Sequence, residues 1–470
     1  MVSRRAFVES VLAVRGLRGA GVGIEWMNIA EVSALVRGKK TSPVELTRLC
    51  LERIEKLNGR LNAFLTITAD RALADAKTLE AEARGGKWRG LLHGIPIGLK
   101  DLYDTAGVRT TAASRQWTDR VPSKDAEVVR RLKAAGAIVL GKTNMDEFAY
   151  NFTGETSFFG TSRNPWDLRR SPGGSSGGSA VAVAAGMCFA ALGSDTGGSI
   201  RLPAALCGIT GLKPTYGLVS TDGVAPLAWS LDHVGPMCRT ARDAAIMLEA
   251  LSGKALREAA VNVATLRLGV PLTVFYDGID PEVEKAVADA TRLLSGMTRG
   301  AEAVVLPALP PFPAMPELPD TYSRIISAEA YAFHQDMLRA HPDRYDAGTR
   351  KSIEAGAAIT TADYILARRE MDRLREQAHR WFAGADLLIT PTAPGAAFEF
   401  GVRRLAFLRN TAPWNLLGLP SISIPCGFTA GGLPIGFQIT GAAGRDDAVL
   451  SLAVAYQKTT DWHRRQPPET

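Results

Sequence analysis

Two glycine- and serine-rich stretches carry residues whose types and spacing could do chemistry. The first, SPGGSSGGSAVAVAAG (171–186), looks like a flexible linker but runs straight into small apolar residues. The second, ALGSDTGGSIRLPAALCG (191–208), repeats the pattern with a Gly-Gly-Ser turn at 197–199. A glycine pair lets backbone amides turn inward and approach a ligand closely. We therefore predict two ligand-facing loops that flank one small, buried helix.

Lys100 is the candidate base for such a site. It ends the apolar segment HGIPIGLK (93–100) and precedes a predicted loop. Burial in apolar surroundings disfavours the ammonium form and lowers the pKa of a lysine. A neutral lysine can then accept the proton of a hydroxyl nucleophile.

Two further motifs match known patterns in their letters only. GAIVLGKT (136–143) fits the phosphate-loop pattern, but its four apolar residues are themselves a predicted strand and cannot wrap a phosphate. GGSSG (173–177) fits the nucleophile elbow around Ser175, but the loop NPWDLRRSP precedes it and the six histidines share no motif. Since no His or Cys pair has metal-ligand spacing, we expect no metal. We expect no cofactor either, because attack by a hydroxyl nucleophile with a lysine base needs none.

The elements that must position these residues alternate between strand and helix. LLHGIPIGLKDLYD (91–104) predicts a short strand that enters a loop, and DAEVVRRLKAAGAIVLGKTN (125–144) predicts a helix, a turn and a strand. Ser42 is the predicted N-cap of an early helix, with Pro43 at its first position and Glu45 three residues on. The alternation predicts the α/β class, with helices on both faces of a largely parallel or mixed sheet.

The composition of the chain indicates which classes of partner and which cellular compartment to expect. The chain has 470 residues and a formal net charge of +7, without a run of five like charges, so we expect no nucleic-acid partner. No apolar run reaches the ~18 residues of a membrane span. The five cysteines are read as reduced residues of a cytoplasmic protein.

The first residues leave an alternative open. SRRAFVESVLAVRG (3–16) begins like a twin-arginine export signal, but Arg15 and Arg18 interrupt the stretch that should be apolar. We treat residues 1–26 as an N-terminal extension, and export remains the alternative to a cytoplasmic location.

With the lysine and the two serine loops, the chain resembles the amidase signature family. The block GGSSGGS, then DTGGSIR, then GLKPTYG matches that family's defining pattern. The spacing matches as well, with 75 residues from Lys100 to Ser175 and 24 from Ser175 to Ser199. The resemblance extends from about Met27 to Pro467 through TNMDEFA, RNPWDLRRSPGGSSGG, SLDHVGPM and TDWHRRQP. It implies a single α/β/α domain over residues 27–470, built around a large, twisted mixed sheet.

The resemblance also implies roles for individual residues. Ser199 would be the acyl-forming nucleophile, Ser175 a relay held by a cis peptide after Gly174, and Lys100 the neutral base. The backbone amides of Thr196, Gly197, Gly198 and Ser199 would form the oxyanion hole. Supporting roles fall to Ser176, Asp195 and Arg201, and the acyl side of the pocket would be lined by Ala149, Tyr150, Phe152 and Thr153.

Two substrate predictions remain open. The segment FAYNFTGETSFFG (148–160) offers several aromatic residues, and two or three facing the cleft would suit aryl or alkyl amides, anilides or carbamates. The alternative is the A-type glutaminase component of a tRNA-dependent amidotransferase. That component usually carries an acid shortly before the run T-x-P-x-N, whereas RRLAFL (403–408) before TAPWN (411–415) has none. We therefore expect a broad-specificity amidase acting on small molecules, with a homodimer as one option.

Overall fold

A large mixed sheet organises the molecule. The computed structural model describes residues 23–255, 261–272, 274–308, 311–312, 315–402 and 406–468. The strands in these ranges are β1 (Phe64–Ile67), β2 (Pro96–Lys100), β3 (Ile138–Thr143), β4 (Ala190–Asp195), β5 (Thr210–Lys213), β6 (His233–Cys238), β7 (Leu268–Pro271), β8 (Ala301–Val304), β9 (Pro311–Phe312), β10 (Met315–Pro319), β11 (Leu387–Pro391), β12 (Ser421–Phe428) and β13 (Pro434–Gly441).

Eleven of these described strands form one sheet in the order β1-β3-β2-β4-β6-β5-β12-β13-β11-β7-β8. Strand β2 runs parallel to both β3 and β4, whereas β4 is antiparallel to β6. The strands β9 and β10 pair separately. The prediction of an α/β fold with a mixed sheet is confirmed.

Helices flank this sheet. In chain order they are α1 (Ile29–Arg37), α2 (Pro43–Leu61), α3 (Ala69–Arg84), α4 (Glu127–Ala134), α5 (Gly177–Ala184), α6 (Arg201–Cys207), α7 (Ala241–Ser252), α8 (Pro281–Met297), α9 (Asp320–Ala340), α10 (Ala347–Glu354), α11 (Thr361–Glu376), α12 (Ala406–Arg409), α13 (Ala412–Leu416) and α14 (Asp446–Thr459).

Local sequence signals set several of these boundaries. Helix α2 begins after Ser42, whose hydroxyl accepts from the backbone N–H of Glu45. Pro43 occupies the first position of the helix, as predicted. Strand β3 contains the apolar residues of the GAIVLGKT motif, so the chain there is pleated rather than wrapped around a phosphate.

Helix α5 is the small, buried helix predicted between the two serine loops. All of its residues are buried, as are all of those in β4, which follows it. A side chain at Gly178 would place its Cβ 2.5 Å from the backbone of Asn144. Only glycine therefore allows the start of α5 to lie so close to the loop that follows β3.

The predicted extension over residues 1–26 falls mostly outside the described residues. Of the part that is described, Ile24 is buried in the main hydrophobic core, and Arg53 lies over the ring of Trp26 at 5.1 Å. The described chain thus contacts the core slightly before the predicted boundary at Met27.

Candidate active site

Lys100 is the last residue of β2, which lies between β3 and β4 in the sheet. Its Nζ donates to the Ser175 hydroxyl at 2.7 Å and to the Ser194 hydroxyl at 2.8 Å. The side chain is fully buried. The lysine is therefore bound to the predicted relay serine and to a second serine that the sequence did not single out.

The environment of Lys100 suits a base. Burial lowers its pKa to about 7, and the charges of Asp146, Asp195 and Asp232 oppose that shift. A pKa of about 7 means that a large fraction of the lysine is neutral near neutral pH, as general-base catalysis requires.

Two acids close to Lys100 in sequence bind other partners, as the base role demands. Asp101 accepts from the backbone N–H of Thr111 at 3.0 Å, and also from the Thr111 hydroxyl. Asp104 forms a two-bond ion pair with Arg120 at 2.7 and 3.0 Å. Both carboxylates are thus held by contacts other than an ion pair with Lys100.

The first serine loop is built by the residues between β3 and α5. The peptide bond from Gly174 to Ser175 is cis. The Ser175 carbonyl accepts from the Asp146 backbone N–H at 3.1 Å, and the Ser176 N–H donates to the Ser199 carbonyl at 3.2 Å. A Cβ at Gly174 would lie 2.0 Å from the Asp146 carboxylate. The glycine thus permits the tight contact that fixes Ser175 beside Lys100.

The second serine loop is held by a buried ion pair. Arg201 donates through Nε and Nη2 to the two Asp195 oxygens, both at 3.0 Å, and both side chains are fully buried. Burial raises the pKa of Asp195, but the charge and hydrogen bonds of Arg201 prevail and lower it overall. The pair anchors the turn that carries Ser199 to the start of α6.

The predicted oxyanion hole needs one correction. The Gly198 N–H donates to Asp195 Oδ1 at 2.8 Å and does not point into the substrate cavity. Among the described residues no acceptor contacts the N–H groups of Gly197 or Ser199, and both residues line the cavity together with Thr196. Gly198 instead shapes the turn, because its φ of +136° is one that L side chains rarely adopt.

A cavity of about 710 Å³ opens beside Ser199. Of the four residues expected on the acyl side, Ala149, Tyr150 and Phe152 line this cavity. Thr153 does not line it, because it is buried and its carbonyl accepts from the Ser171 hydroxyl at 2.6 Å. The full lining is Ala149, Tyr150, Asn151, Phe152, Thr196, Gly197, Ser199, Leu227, Tyr322, Ile326, Ser327, Gly348, Lys351, Ser352, Ala355 and Leu408.

The aromatic residues of 148–160 divide between this cavity and the remaining structure. Phe148 packs in a separate core cluster against His334 and Trp117. Phe158 is largely exposed and contacts Phe159 edge-on. Two of the five aromatic residues thus face the cavity.

Several contacts at the site come from residues that sequence reasoning did not name. The Thr196 hydroxyl donates to Asp232 at 2.5 Å, which connects the second serine loop to the segment before β6. The Asn415 amide donates to Asp195 at 2.9 Å and its oxygen accepts from Arg201. Asp232 and Asn415 lie in the motifs SLDHVGPM and TAPWN, so the sequence marked their positions. The motifs alone did not show which residues they contact.

The described residues form neither a cluster of metal ligands nor a membrane-spanning helix. Within the described part of the chain, no group of three or more His, Cys, Asp or Glu side chains is arranged to hold a metal ion. None of the helices described is both long and apolar enough to cross a bilayer. All five cysteines are buried and unpaired.

Lys100 thus contacts the Ser175 hydroxyl, and Ser199 lies on the wall of a cavity. This arrangement is the one expected of an enzyme that hydrolyses amide C–N bonds. The chain belongs to the amidase signature family, since the family model Amidase matches residues 45–450.

Individual relatives share nearly the whole chain. The A subunit of the glutamyl-tRNA(Gln) amidotransferase from Roseiflexus sp. is 42% identical, over 92% of this chain and 96% of its own length. A crystal structure of an amidase superposes with a TM-score of 0.85 at 36% identity, covering 92% of this chain and 99% of that one. The corresponding amidotransferase subunit of Thermotoga maritima superposes with a TM-score of 0.77 at 34% identity, covering 95% and 98%.

Proposed function

We propose that this enzyme hydrolyses small-molecule amides through an acyl-enzyme on Ser199. The Ser199 hydroxyl attacks the amide carbonyl while its proton passes to Ser175, whose own proton passes to Lys100. The N–H groups of Thr196, Gly197 and Ser199 receive the oxyanion. The proton returns through Ser175 to the leaving nitrogen, and water then cleaves the ester. The 2.7 Å contact between Lys100 and Ser175 is the observation that carries this proposal.

Trapping the acyl-enzyme tests the proposal directly. Purified protein is mixed with p-nitroanilides, primary amides, carbamates and glutamine, and rapidly quenched samples are analysed by intact mass and peptide mapping. We expect an acyl mass on Ser199, and we expect Ser199→Ala to lose nearly all turnover, by several orders of magnitude. Ser252→Ala, on α7, is the matched control. An acyl group on another residue, or more than about a tenth of the rate in Ser199→Ala, would exclude this nucleophile.

A second candidate function is that of a glutaminase, whose substrate is glutamine. The two amidotransferase relatives, at 42% and 34% identity, favour a glutaminase over a broad aryl or alkyl amidase. In that case the chain would work with protein partners, because both relatives are named as one subunit of an amidotransferase. The acid-free stretch before TAPWN speaks against glutamine, because Leu408 of that stretch lies on the cavity wall and offers no carboxylate to an ammonium group.

Two measurements separate the candidates. Ammonia release from glutamine is followed for the protein alone and after co-expression with the other components of an amidotransferase. Glutaminase activity that appears with the partners would establish the second candidate, whereas hydrolysis of neutral amides by the isolated chain would establish the first. Size-exclusion chromatography on the same samples tests the homodimer.

We also propose a cytoplasmic location. The five buried cysteines with free thiols support a reducing compartment.

A further inference from the structure

One face of α10 forms part of the substrate cavity. Gly348, Lys351, Ser352 and Ala355 line it, and this spacing places all four on one side of a helical segment. The adjacent side of the helix carries the buried residues Thr349 and Ile353. The helix therefore presents one long, flexible cation to a cavity whose other described lining residues carry no formal charge.

The charge of Lys351 is not cancelled by a neighbour. Among the described residues Lys351 has no ion pair, whereas the adjacent Arg350 pairs with Glu354 at 3.6 Å on the same helix. The nearby carboxylate of Asp346 caps the helix by accepting from the N–H groups of Gly348 and Thr349 at 2.9 and 3.0 Å. The described cavity wall therefore offers a cation and no carboxylate to a bound molecule.

Helix α10 is also fixed relative to the catalytic loops. Glu147, which directly follows Asp146, accepts from the Asp346 N–H at 2.8 Å and from the Ser114 hydroxyl at 2.6 Å. The buried carboxylate thus joins the first turn of α10 to the segment that holds Ser175. A group bound by Lys351 would accordingly keep a set distance from Ser199.

We infer that Lys351 selects amides whose acyl chain ends in a carboxylate and that carry no ammonium group. This inference rests on the proposed amide hydrolysis and names its substrate class as the monoamides of small dicarboxylic acids. Lys351 would bind the remote carboxylate while Ser199 attacks the amide. An α-ammonium group, as in glutamine, would meet Leu408, Tyr322 and other uncharged wall residues and lose hydration without gaining a partner.

The test compares three amides of the same length. Glutaramate ends in a carboxylate, valeramide replaces the carboxylate by a methyl group, and glutamine adds an ammonium group to glutaramate. We expect glutaramate to exceed both in kcat/KM by about five- to fiftyfold, the range of a partly exposed charge-assisted contact. Succinamate and adipamate report the best chain length. Because the cation lies in an open cavity, the preference should shrink as the salt concentration rises to about 0.5 M.

Variants assign the preference to one side chain. Lys351→Gln should lower the ratio of kcat/KM for glutaramate to kcat/KM for valeramide to about one. Lys351→Glu should favour 5-aminopentanamide over glutaramate. The matched control is Arg350→Gln, which removes a cation from the other side of the same helix and should leave the ratios unchanged.

The outcomes distinguish this inference from the proposed function. If wild type hydrolyses valeramide and glutaramate equally well, or if Arg350→Gln and Lys351→Gln act alike, the carboxylate site is excluded while amide hydrolysis stands. If kcat/KM is higher for glutamine than for glutaramate, the cavity binds the ammonium group favourably and the inference is wrong. If the wild type forms no acyl-enzyme with any amide, the proposed function fails first.

Discussion

Replacing Lys100 by arginine tests the proton relay most sharply, because it keeps the positive charge and removes the base. Arginine retains its proton throughout the accessible pH range. The guanidinium could still donate hydrogen bonds to Ser175 and Ser194, which Lys100 contacts at 2.7 and 2.8 Å. A residue needed only as a donor or a cation would tolerate the change.

The magnitude follows from the fraction of neutral base. An ordinary lysine, with a pKa near 10.4, is neutral in about one molecule in 2,500 at pH 7. Burial lowers the pKa of Lys100 to about 7, so roughly half of it is neutral at that pH. Arginine, with a pKa above ~12, leaves fewer than about one molecule in 10⁵ neutral. Since a general base contributes at least about a hundredfold, Lys100→Arg should lose that much or more.

The assay is kcat/KM against pH for wild type, Lys100→Arg and Lys100→Ala. The neutral lysine is the active form, so the wild-type rate should rise with pH through an ionisation near 7 and then level off. Both variants should be similarly slow and lack that ionisation. Lys133→Arg, whose lysine pairs with Asp125 on the surface, is the control. Near-normal activity in Lys100→Arg would refute the relay.

Three further outcomes are expected. Gly197→Ala would place a Cβ 2.2 Å from the Tyr322 hydroxyl and should lower kcat/KM by about tenfold or more, and Tyr322→Phe in the same chain should restore part of the loss. Asp195→Asn leaves the buried Arg201 without its counter-charge and should lower the free energy of unfolding in urea by about 3–5 kcal/mol. Prolonged dialysis against a strong chelator should leave the hydrolysis rate unchanged, and a loss that zinc restores would contradict the metal-free mechanism.

The features that the sequence predicted correctly depend on local signals. Ser42, Pro43 and Glu45 are consecutive or nearly so, and their capping preference needs no distant partner. The apolar run after Gly136 was likewise predicted from local sequence alone, and it forms strand β3. The association of Lys100 with Ser175 spans 75 residues, but a family motif marks both positions.

The features that were missed depend on tertiary contacts. Whether the Gly198 N–H faces a substrate or Asp195 is decided by the direction of one peptide plane, which Gly-Gly-Ser does not specify. Thr153 follows Phe152 directly, yet its carbonyl is held by Ser171 away from the cavity. Lys351 lies in a polar helix 152 residues after Ser199, and only the packing of α10 brings it to the cavity.

The charges around Lys100 explain how one residue can be both neutral at rest and a useful base. Burial disfavours the ammonium form of Lys100, whereas the charges of Asp146, Asp195 and Asp232 favour it, and the balance leaves the pKa of the lysine at about 7. In the proposed mechanism, the ammonium formed on Lys100 would face these acids in the same step in which the oxyanion forms near Gly197. The buried acids thus stabilise one end of the charge separation while backbone N–H groups stabilise the other. Because Arg201 already holds Asp195 in a fixed position, this stabilisation needs no rearrangement during the reaction.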